Sequence, residues 1–497
     1  MVGILIMNKV IKLNNIKYIK ERFKGKKIGL CHGSFDLLHI GHLNHFEEAK
    51  KKVDILIVSV TADKYINKGE GRPVNNENKR LEFLKHVENI DYLYLDNSPN
   101  SVKIINKLKP DFYFKGIDYK NKDIAGNLKE EITATKKNKG SFFTTKSKKL
   151  SSTKIFQYHY SDLDKKKINV IKNISKNYGL EKIQSILNKL KKKEITIVGE
   201  PIIDEYVFCK ILGLTSKDPS ISSIIVKKEI YLGGVISNAI TASMFVGKVN
   251  LITYGHNKHY KKLKKFKNIK LINISDKKEI QTKTRYLNEN RFEKLLQITN
   301  FKSNLFSSTE KNKLLKIIKT TKSNLIISDY GIGLFDKEIV SQINKLKIKK
   351  YLNVQTNSMN NGLNLFTKYD NFYYMCLDER EWGMGLKKDN VNDLDIIKIL
   401  NSTKQNYSFT KGKMGSSLYL NNELYNSPAY TKKIIDVTGC GDAYFVISSI
   451  LINNKIKGDL SIFLSNLYAA MYSGFVANSE TIDKNKFLIY IRNLIGD

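Results

Sequence analysis

The sequence predicts an α/β protein of two domains, each a parallel sheet wound with helices. Three observations carry this expectation. The chain has 497 residues, a length for two to four domains. Short apolar runs alternate with helix-like segments from residue 27 onward, and the alternation starts afresh at residue 194. Apolar residues make up 41% and charged residues 27%, which allows a sizeable core and argues against wholesale disorder.

Residues 27–31 read as a short buried strand, 42–52 as a helix, 53–60 as a strand, 79–87 as a helix, and 92–95 and 112–114 as strands. Strands joined through helices form a parallel sheet, and such sheets bind ligands at the carboxyl ends of their strands. Between 161 and 193, isoleucines and leucines recur at mostly helical spacing among lysines, with Gly179 as an interruption. This reads as two short amphipathic helices linking a domain over 1–160 to one over 194–497. Strands at 194–199, 249–253, 324–328 and 351–354, then an apolar helix over 443–452, make up the second domain. The halves share no motif, so they read as a fusion and not as a duplication.

Lys and Arg number 85 against 48 Asp and Glu, a formal net charge of +37. The lysines scatter along the whole chain with Asn and Ile, and no arginine-rich arm, zinc-finger spacing or RNA-binding aromatic motif accompanies them. The expected partners are therefore small anions such as nucleotides and sugar phosphates, not nucleic acid. No apolar run approaches the ~18–20 residues of a membrane span, and the apolar start at 1–7 lacks the flanks of a signal peptide, so no membrane association is expected. Cys31, Cys209, Cys376 and Cys440 lie far apart with no C-x-x-C pair, which suits a reducing cytoplasm.

Four of the eight histidines, His32, His39, His42 and His45, fall within fourteen residues. The segment His32-Gly33-Ser34-Phe35-Asp36-Leu37-Leu38-His39-Ile40-Gly41-His42 reads as a strand end, a glycine turn and a helix starting near Gly41. Helix starts hold anions through unbonded N–H groups and the dipole. His39 and His42, three apart, can both face that end, donate to a phosphate and steady the charge that builds when an α-phosphoryl group is attacked. A metal pair would need a further Cys/His cluster, and none completes it. His32 and His45 read as packed or surface histidines.

This segment resembles the signature of the cytidylyltransferase-like nucleotidyltransferase family. Lys68-Gly69-Glu70-Gly71-Arg72-Pro73 resembles the family's loop whose lysine contacts the triphosphate, and Arg80 matches a helix position that supports the nucleotide site. Lys115-Gly116-Ile117-Asp118-Tyr119 resembles the K-G-x-D-Y segment at the base-binding end, and Ser151-Ser152-Thr153-Lys154-Ile155 the late I-S-T-T-x-I motif. The resemblance covers about residues 24–157. It implies a Rossmann-like H-x-G-H fold with His39, His42 and Lys68 catalytic. Gly33, Ser34, Phe35, Arg80, Lys115, Gly116, Ser151, Ser152 and Thr153 would surround the nucleotide. Lys146-Ser147-Lys148-Lys149-Leu150 replaces the basic residue and glycine that usually lead into the late motif. The family includes CTP users and ATP users.

Asp436-Val437-Thr438-Gly439-Cys440-Gly441-Asp442 precedes the apolar helix of the second half. Small and flexible residues at a helix start can form an anion hole, and an aspartate just beyond can take a proton from a hydroxyl attacking a γ-phosphoryl group. A plain helix cap with a glycine turn would look the same. The stretch resembles the D-T-x-G-A-G-D signature of the ribokinase-like sugar kinases, with Cys440 for alanine and Val437 for threonine. The resemblance implies Asp442 as the base and Gly439, Cys440 and Gly441 as the anion hole. Gly199-Glu200-Pro201-Ile202-Ile203-Asp204 resembles the first-strand motif whose aspartate binds sugar, with Glu200 where aspartate is common. Gly233, Gly234 and Asn238, Lys283 and Arg285, and Asp329 of Ser328-Asp329-Tyr330-Gly331 match further substrate-binding segments. Asp378-Glu379-Arg380-Glu381 matches N-x-x-E, which implies Glu381 as a magnesium-holding residue. Thr410, Gly412 and Gly415 match the nucleotide loop T-x-G-x-x-G. Asn353-Val354-Gln355 replaces the usual D-x-K.

Taken together, the halves resemble the bifunctional heptose-phosphate kinase/nucleotidyltransferases of bacterial surface-polysaccharide synthesis, with the domain order reversed. The resemblance implies a cytoplasmic homo-oligomer that works on small-molecule sugar phosphates and nucleotides. It would phosphorylate a sugar or sugar phosphate with ATP and Mg2+ or a similar divalent cation. It would transfer a nucleotidyl group from ATP or CTP to a sugar 1-phosphate, releasing pyrophosphate. A CDP-alditol or another nucleotide sugar is the alternative product. A nucleotide-binding regulatory protein with decayed catalysis is the alternative class, prompted by the altered kinase motifs.

Overall fold

The computed structural model describes residues 9–12, 15–66, 73–116, 127–145, 165–290, 292–300, 305–357, 360, 362–400, 405–430 and 434–495. Lys68, Asp118, Tyr119, Ser151, Ser152 and Thr153 lie outside them. The chain forms two compact units, 1–165 with 485–497, and 166–484. The helices Lys165–Asn177 and Gly179–Leu190 were expected as a linker; from residue 166 on they group with the second unit, and the chain's last thirteen residues group with the first. Leu180, Ile183, Leu187 and Leu190 recur three or four apart and are all buried, so one face of the second helix is core.

In the first unit, strands β1 (Val10–Ile11), β2 (Ile28–Gly33), β3 (Ile55–Thr61), β4 (Tyr92–Asp96), β5 (Phe112–Gly116) and β6 (Ser141–Thr145) form one sheet. Its order is β1-β4-β3-β2-β5-β6, and every pairing is parallel. Leu30 and Ile57 pack into one core and their neighbours Cys31 and Val58 into another, so the central strands are buried on both faces. That is why they read as unbroken apolar runs. The chain runs from β2 to β3 to β4 and then returns to place β5 on the other side of β2. The crevice beyond the carboxyl ends of β2 and β5 is therefore the switch point where such sheets bind ligands.

The second unit has β7 (Glu194–Gly199), β8 (Pro201–Leu214), β9 (Ile221–Gly234), β10 (Lys248–Thr253), β11 (Ile269–Asn273), β12 (Gln281–Asn288) and β13 (Lys294–Asn300). It continues with β14 (Leu325–Asp329), β15 (Lys350–Val354), β16 (Tyr374–Asp378), β17 (Asn406–Thr410), β18 (Ser416–Leu420) and β19 (Glu423–Ser427). Nine strands form the main sheet, ordered β11-β10-β7-β14-β15-β16-β17-β18-β19, parallel as far as β17. Its switch point lies between β7 and β14. A second sheet, β13-β12-β8-β9, branches off where the chain passes from Gly199 to Pro201. The helix Cys440–Asn453 is buried all along Ala443–Ile452, where apolar residues and two serines cover every side.

Candidate active sites

In the first unit the helix Ile40–Lys50 starts at the switch crevice, and His39 is its N-cap. The His39 Nδ1 accepts the Gly41 backbone N–H at 3.1 Å. A nitrogen that accepts carries no proton, so neutral His39 holds its proton on Nε2, the donor that a phosphate oxygen needs. The His42 ring stacks on His39 at a centroid distance of 3.9 Å, and Phe35 meets it edge-on at 5.4 Å. Phe35 sits at φ 47°, a left-handed conformation uncommon for a non-glycine residue. Gly33 makes room for it: a Cβ there would lie 3.0 Å from the Phe35 ring. The structure thus brings Gly33, Phe35, His39 and His42 together.

Arg80 and Lys115 are both buried beside the crevice. Arg80 is fully buried. It donates to the carbonyls of Asn75 (3.0 Å), Ser34 (2.5 Å) and Thr61 (2.8 Å) and to the Asp63 carboxylate (2.6 Å). It ties the loops after β2 and β3 together beneath the site and does not present its guanidinium to a nucleotide. Lys115 is also buried and sits 3.3 Å from the Glu131 carboxylate. Burial raises the Glu131 carboxyl, but Lys115 and hydrogen bonds from Ser101 bring it below its usual range. His32 and His45 are packing residues: burial, aided by Lys115, drives their values down to about 3 and about 4, so both are neutral. Gly116 ends β5 at the same crevice.

In the second unit, Asp442 is the third residue of the helix Cys440–Asn453. Gly439 caps that helix at φ 82°, which a side chain would strain. The Cys440 N–H is turned back to the Val437 carbonyl at 3.2 Å, so it does not contribute to an anion hole. The N–H groups of Gly439, Gly441 and Asp442 have no protein acceptor among the described residues. Of the expected trio, Gly439 and Gly441 keep open N–H groups, and Asp442 offers one in place of Cys440. Burial pushes the Cys440 thiol up to about 12.

The Asp442 Oδ1 accepts from the Tyr330 hydroxyl at 2.8 Å and from Gln355 Nε2 at 2.9 Å. Burial lifts its carboxyl to about 6, against the pull of Tyr330 and Lys283. Lys283 acts on both Asp204 and Asp442, and it is paired in register with Asp204 across β12 and β8. Arg285, two residues on and so on the same face, meets the Asp204 carboxylate at 2.5 Å. Asp204, Lys283, Arg285 and Asp442 therefore converge. Gly233 is needed for this: a Cβ there would lie 2.2 Å from the Asp204 Oδ2. Gly234 occupies φ 59° at the start of the Val235–Ser243 helix.

Asp329, Asn238 and Glu381 do not take the expected places. Asp329 is fully buried and bonded to Lys368 (2.6 Å), the Tyr369 hydroxyl (2.8 Å), the Gly331 N–H (3.0 Å) and Asn364 (3.1 Å). It anchors the loop, and its neighbour Tyr330 reaches the site. Asn238 is buried and donates to Ser328 Oγ and the Tyr330 hydroxyl. Glu381 forms a capping box with Asp378, and burial holds its carboxyl well above the usual range. Its Oε2 accepts the Asp378 N–H at 2.9 Å, so that oxygen is engaged in the cap. Among the described residues no cluster of three or more His, Cys, Asp or Glu could hold a metal. Thr410, Gly412 and Gly415 form a tight turn after β17, closed by Lys411 N–H to the Gly415 carbonyl at 2.8 Å.

Three residues overlooked as site residues are now evident. Glu200 accepts the N–H groups of Tyr330, Ile332 and Leu334 and so clamps the Tyr330 loop from the β7 side. Tyr330 and Gln355 hold Asp442. Strand alternation could have pointed to Tyr330, since a residue following a buried strand-end aspartate faces the other way. Glu200 and Gln355 were visible only as departures from the family motifs.

A family model described as cytidylyltransferase-like matches residues 30–157. The first unit is a cytidylyltransferase-like domain. The chain is 37% identical over 115 residues to "Bifunctional protein HldE" of Aliarcobacter butzleri, covering 22% of this chain and 24% of that protein. It is 39% identical over 117 residues to the protein of the same name from Shewanella sediminis, covering 23% and 24%. The chain thus spans about a quarter of the length of the curated relatives it matches. Among solved structures, phosphofructokinase-2 from Escherichia coli in complex with substrates and products aligns with a TM-score of 0.50 at 13% identity. That alignment covers 61% of this chain, more than the first unit contains, and 99% of the other. The second unit shares its fold with that phosphofructokinase-2. Among the described residues no helix is long and apolar enough to cross a membrane.

Proposed function

We propose that this chain makes a nucleotide-activated sugar through two separate phosphoryl chemistries. In the second unit, Asp442 removes the proton from a hydroxyl of a heptose-like sugar or sugar phosphate. That oxygen forms a bond to the γ-phosphorus of ATP, and the bond to the departing ADP oxygen breaks. The N–H groups of Gly439, Gly441 and Asp442 steady the charge on the transferred group, and Lys283 and Arg285 attract an anionic acceptor. The observation that carries this reading is the convergence of Asp442 with Asp204, Lys283 and Arg285 in front of an open helix start.

In the first unit, a sugar 1-phosphate oxygen attacks the α-phosphorus of ATP or CTP and pyrophosphate leaves. His39 and His42 donate to the α-phosphoryl oxygens, and Lys68 is assigned to the triphosphate. A divalent cation, Mg2+ or similar, accompanies both nucleotides; in the second unit it would be held chiefly by phosphates and water, as Mg2+ commonly is.

The expected setting is the cytoplasm, where ATP is supplied. All four cysteines are unpaired thiols, which agrees with that setting. Self-association is also proposed: Leu212, Leu214, Ile221 and Ile224 at the far end of the β8–β9 hairpin are 55–70% exposed. Sedimentation of the full chain tests it.

Product mass spectrometry with a panel of heptose and other sugar phosphates, ATP and CTP is the deciding experiment. Asp442→Asn should abolish sugar phosphorylation and leave nucleotidyl transfer intact, and His42→Ala should do the reverse. Loss of both activities from either change in a folded protein would contradict separate sites. Nucleotide binding without turnover would favour a regulatory protein instead.

A further inference from the structure

We propose that Gln355 is the positioning residue for Asp442: a neutral donor that fixes one carboxylate oxygen and leaves the other, with its charge intact, for the acceptor hydroxyl. The inference rests on the kinase reading of the second unit. It is carried by a chain of amides running from the sheet to the reacting group. The Cys376 carbonyl on β16 accepts from Asn353 Nδ2 at 2.7 Å. Asn353 Oδ1 accepts from Gln355 Nε2 at 3.0 Å, and the same Nε2 donates to Asp442 Oδ1 at 2.9 Å. Both N–H bonds of the Gln355 amide are therefore engaged, which sets its orientation and prevents rotation without loss of both. Its backbone is held as firmly, with its N–H on the Asp329 carbonyl at 2.8 Å and its carbonyl accepting from Asn364 at 3.1 Å.

Tyr330 supplies the second donor to the same oxygen. No described residue donates to the Asp442 Oδ2, so the protein binds one oxygen twice and keeps the other for substrate. In the related motif a lysine would stand at position 355 and place a cation beside the base. Here the amide orients the carboxylate without neutralising it. Lys283 on β12 is the cation that acts on Asp442. Asp204 on β8 and Glu381 of the Glu379–Leu386 helix oppose it, and the thiols of Cys376 and Cys440 and the hydroxyls of Tyr330 and Tyr472 complete the titratable surroundings.

The test uses the full chain and two substitutions of opposite electrostatic sign. Carboxyl-13C aspartate labelling, with the Asp442 signal identified by its loss in Asp442→Asn, reads the titration directly and needs no sugar. Gln355→Leu removes a donor to the charged form and should raise the midpoint; Gln355→Lys adds a cation and should lower it by about one pH unit. In steady-state phosphorylation of the best acceptor from a heptose and hexose phosphate panel, Gln355→Leu should reduce kcat roughly ten- to a hundredfold with KM little changed. The acid limb of kcat should move with the midpoints, up in one variant and down in the other. A structural role would lower stability without moving the limb in two directions. Coinciding midpoints, or an effect confined to KM, would overturn the proposal. If no acceptor is phosphorylated by the unaltered chain, the kinase reading falls, while the titration still decides whether Gln355 governs Asp442. The opposite signs keep one variant decisive if the other misfolds.

Discussion

Two aspartates six residues apart are tuned in opposite directions. Asp436 accepts from Lys294, Thr438, Tyr206 and the Ala477 N–H, and these donors outweigh burial and hold its carboxyl at about 2. Asp442, with fewer donors and more desolvation, rises to about 6. Asp436 is thus ionised at neutral pH, and the Asp442 carboxyl lies close to neutrality. The consequences for stability have opposite signs. A depressed carboxyl stabilises the fold above its unfolded value near 4, so Asp436→Asn should cost about 2 kcal/mol at pH 7, the loss shrinking as pH falls from 4 to 2. A raised carboxyl is a burden when ionised, so Asp442→Asn should stabilise the second unit by roughly 1–3 kcal/mol at pH 7. That gain should fade between pH 6 and 4. Denaturant unfolding of both variants across pH 3–8 checks the pair.

At the scale of elements, the second site depends on close approaches that only glycine permits. Gly233 on β9 lets the Asp204 carboxylate lie against the backbone, and at Gly415, with φ 93°, a Cβ would lie 2.1 Å from the Ser427 carbonyl oxygen. Gly233→Ala should displace Asp204, raising KM for the sugar while leaving KM for ATP and nucleotidyl transfer unchanged; separate titration of the two substrates reads this. The Tyr330 loop is gripped from two strands, by Glu200 after β7 and by Asp329 at the end of β14. Replacing Glu200 with Gln would remove an acceptor from backbone N–H groups buried at the switch point.

Across the molecule, each unit places its polar chemistry beyond the carboxyl ends of a parallel sheet, where the strand order reverses. The units are separate in their cores, so a defect in one should stay there. Arg80 tests this. Its replacement by Met would strand three carbonyls and the Asp63 carboxylate, a loss on the order of 3–5 kcal/mol for a buried charged network. Calorimetry should show the transition of the first unit lowered by several degrees and that of the second unchanged.

Sequence alone was enough for the fold class and for most strands. Buried parallel strands are continuous apolar runs, and the predicted 194–199 strand matches β7 residue for residue. The clusters around His39 and Asp442 were also legible, because glycine turns at helix starts are local features. What the sequence could not decide was the partnership of residues far apart in the chain. Asp329 and Tyr330 stand side by side in sequence, yet one is fully buried in a scaffold and the other reaches the base. Gln355 looked like a lost lysine until its amide was seen against Asp442, 87 residues on. Arg80 was legible as a supporting position, but its partners, Asn75, Ser34, Thr61 and Asp63, were not. Strand and helix periodicity is written in nearest neighbours; which buried polar group answers which is settled only when packing removes water and each donor must find its acceptor.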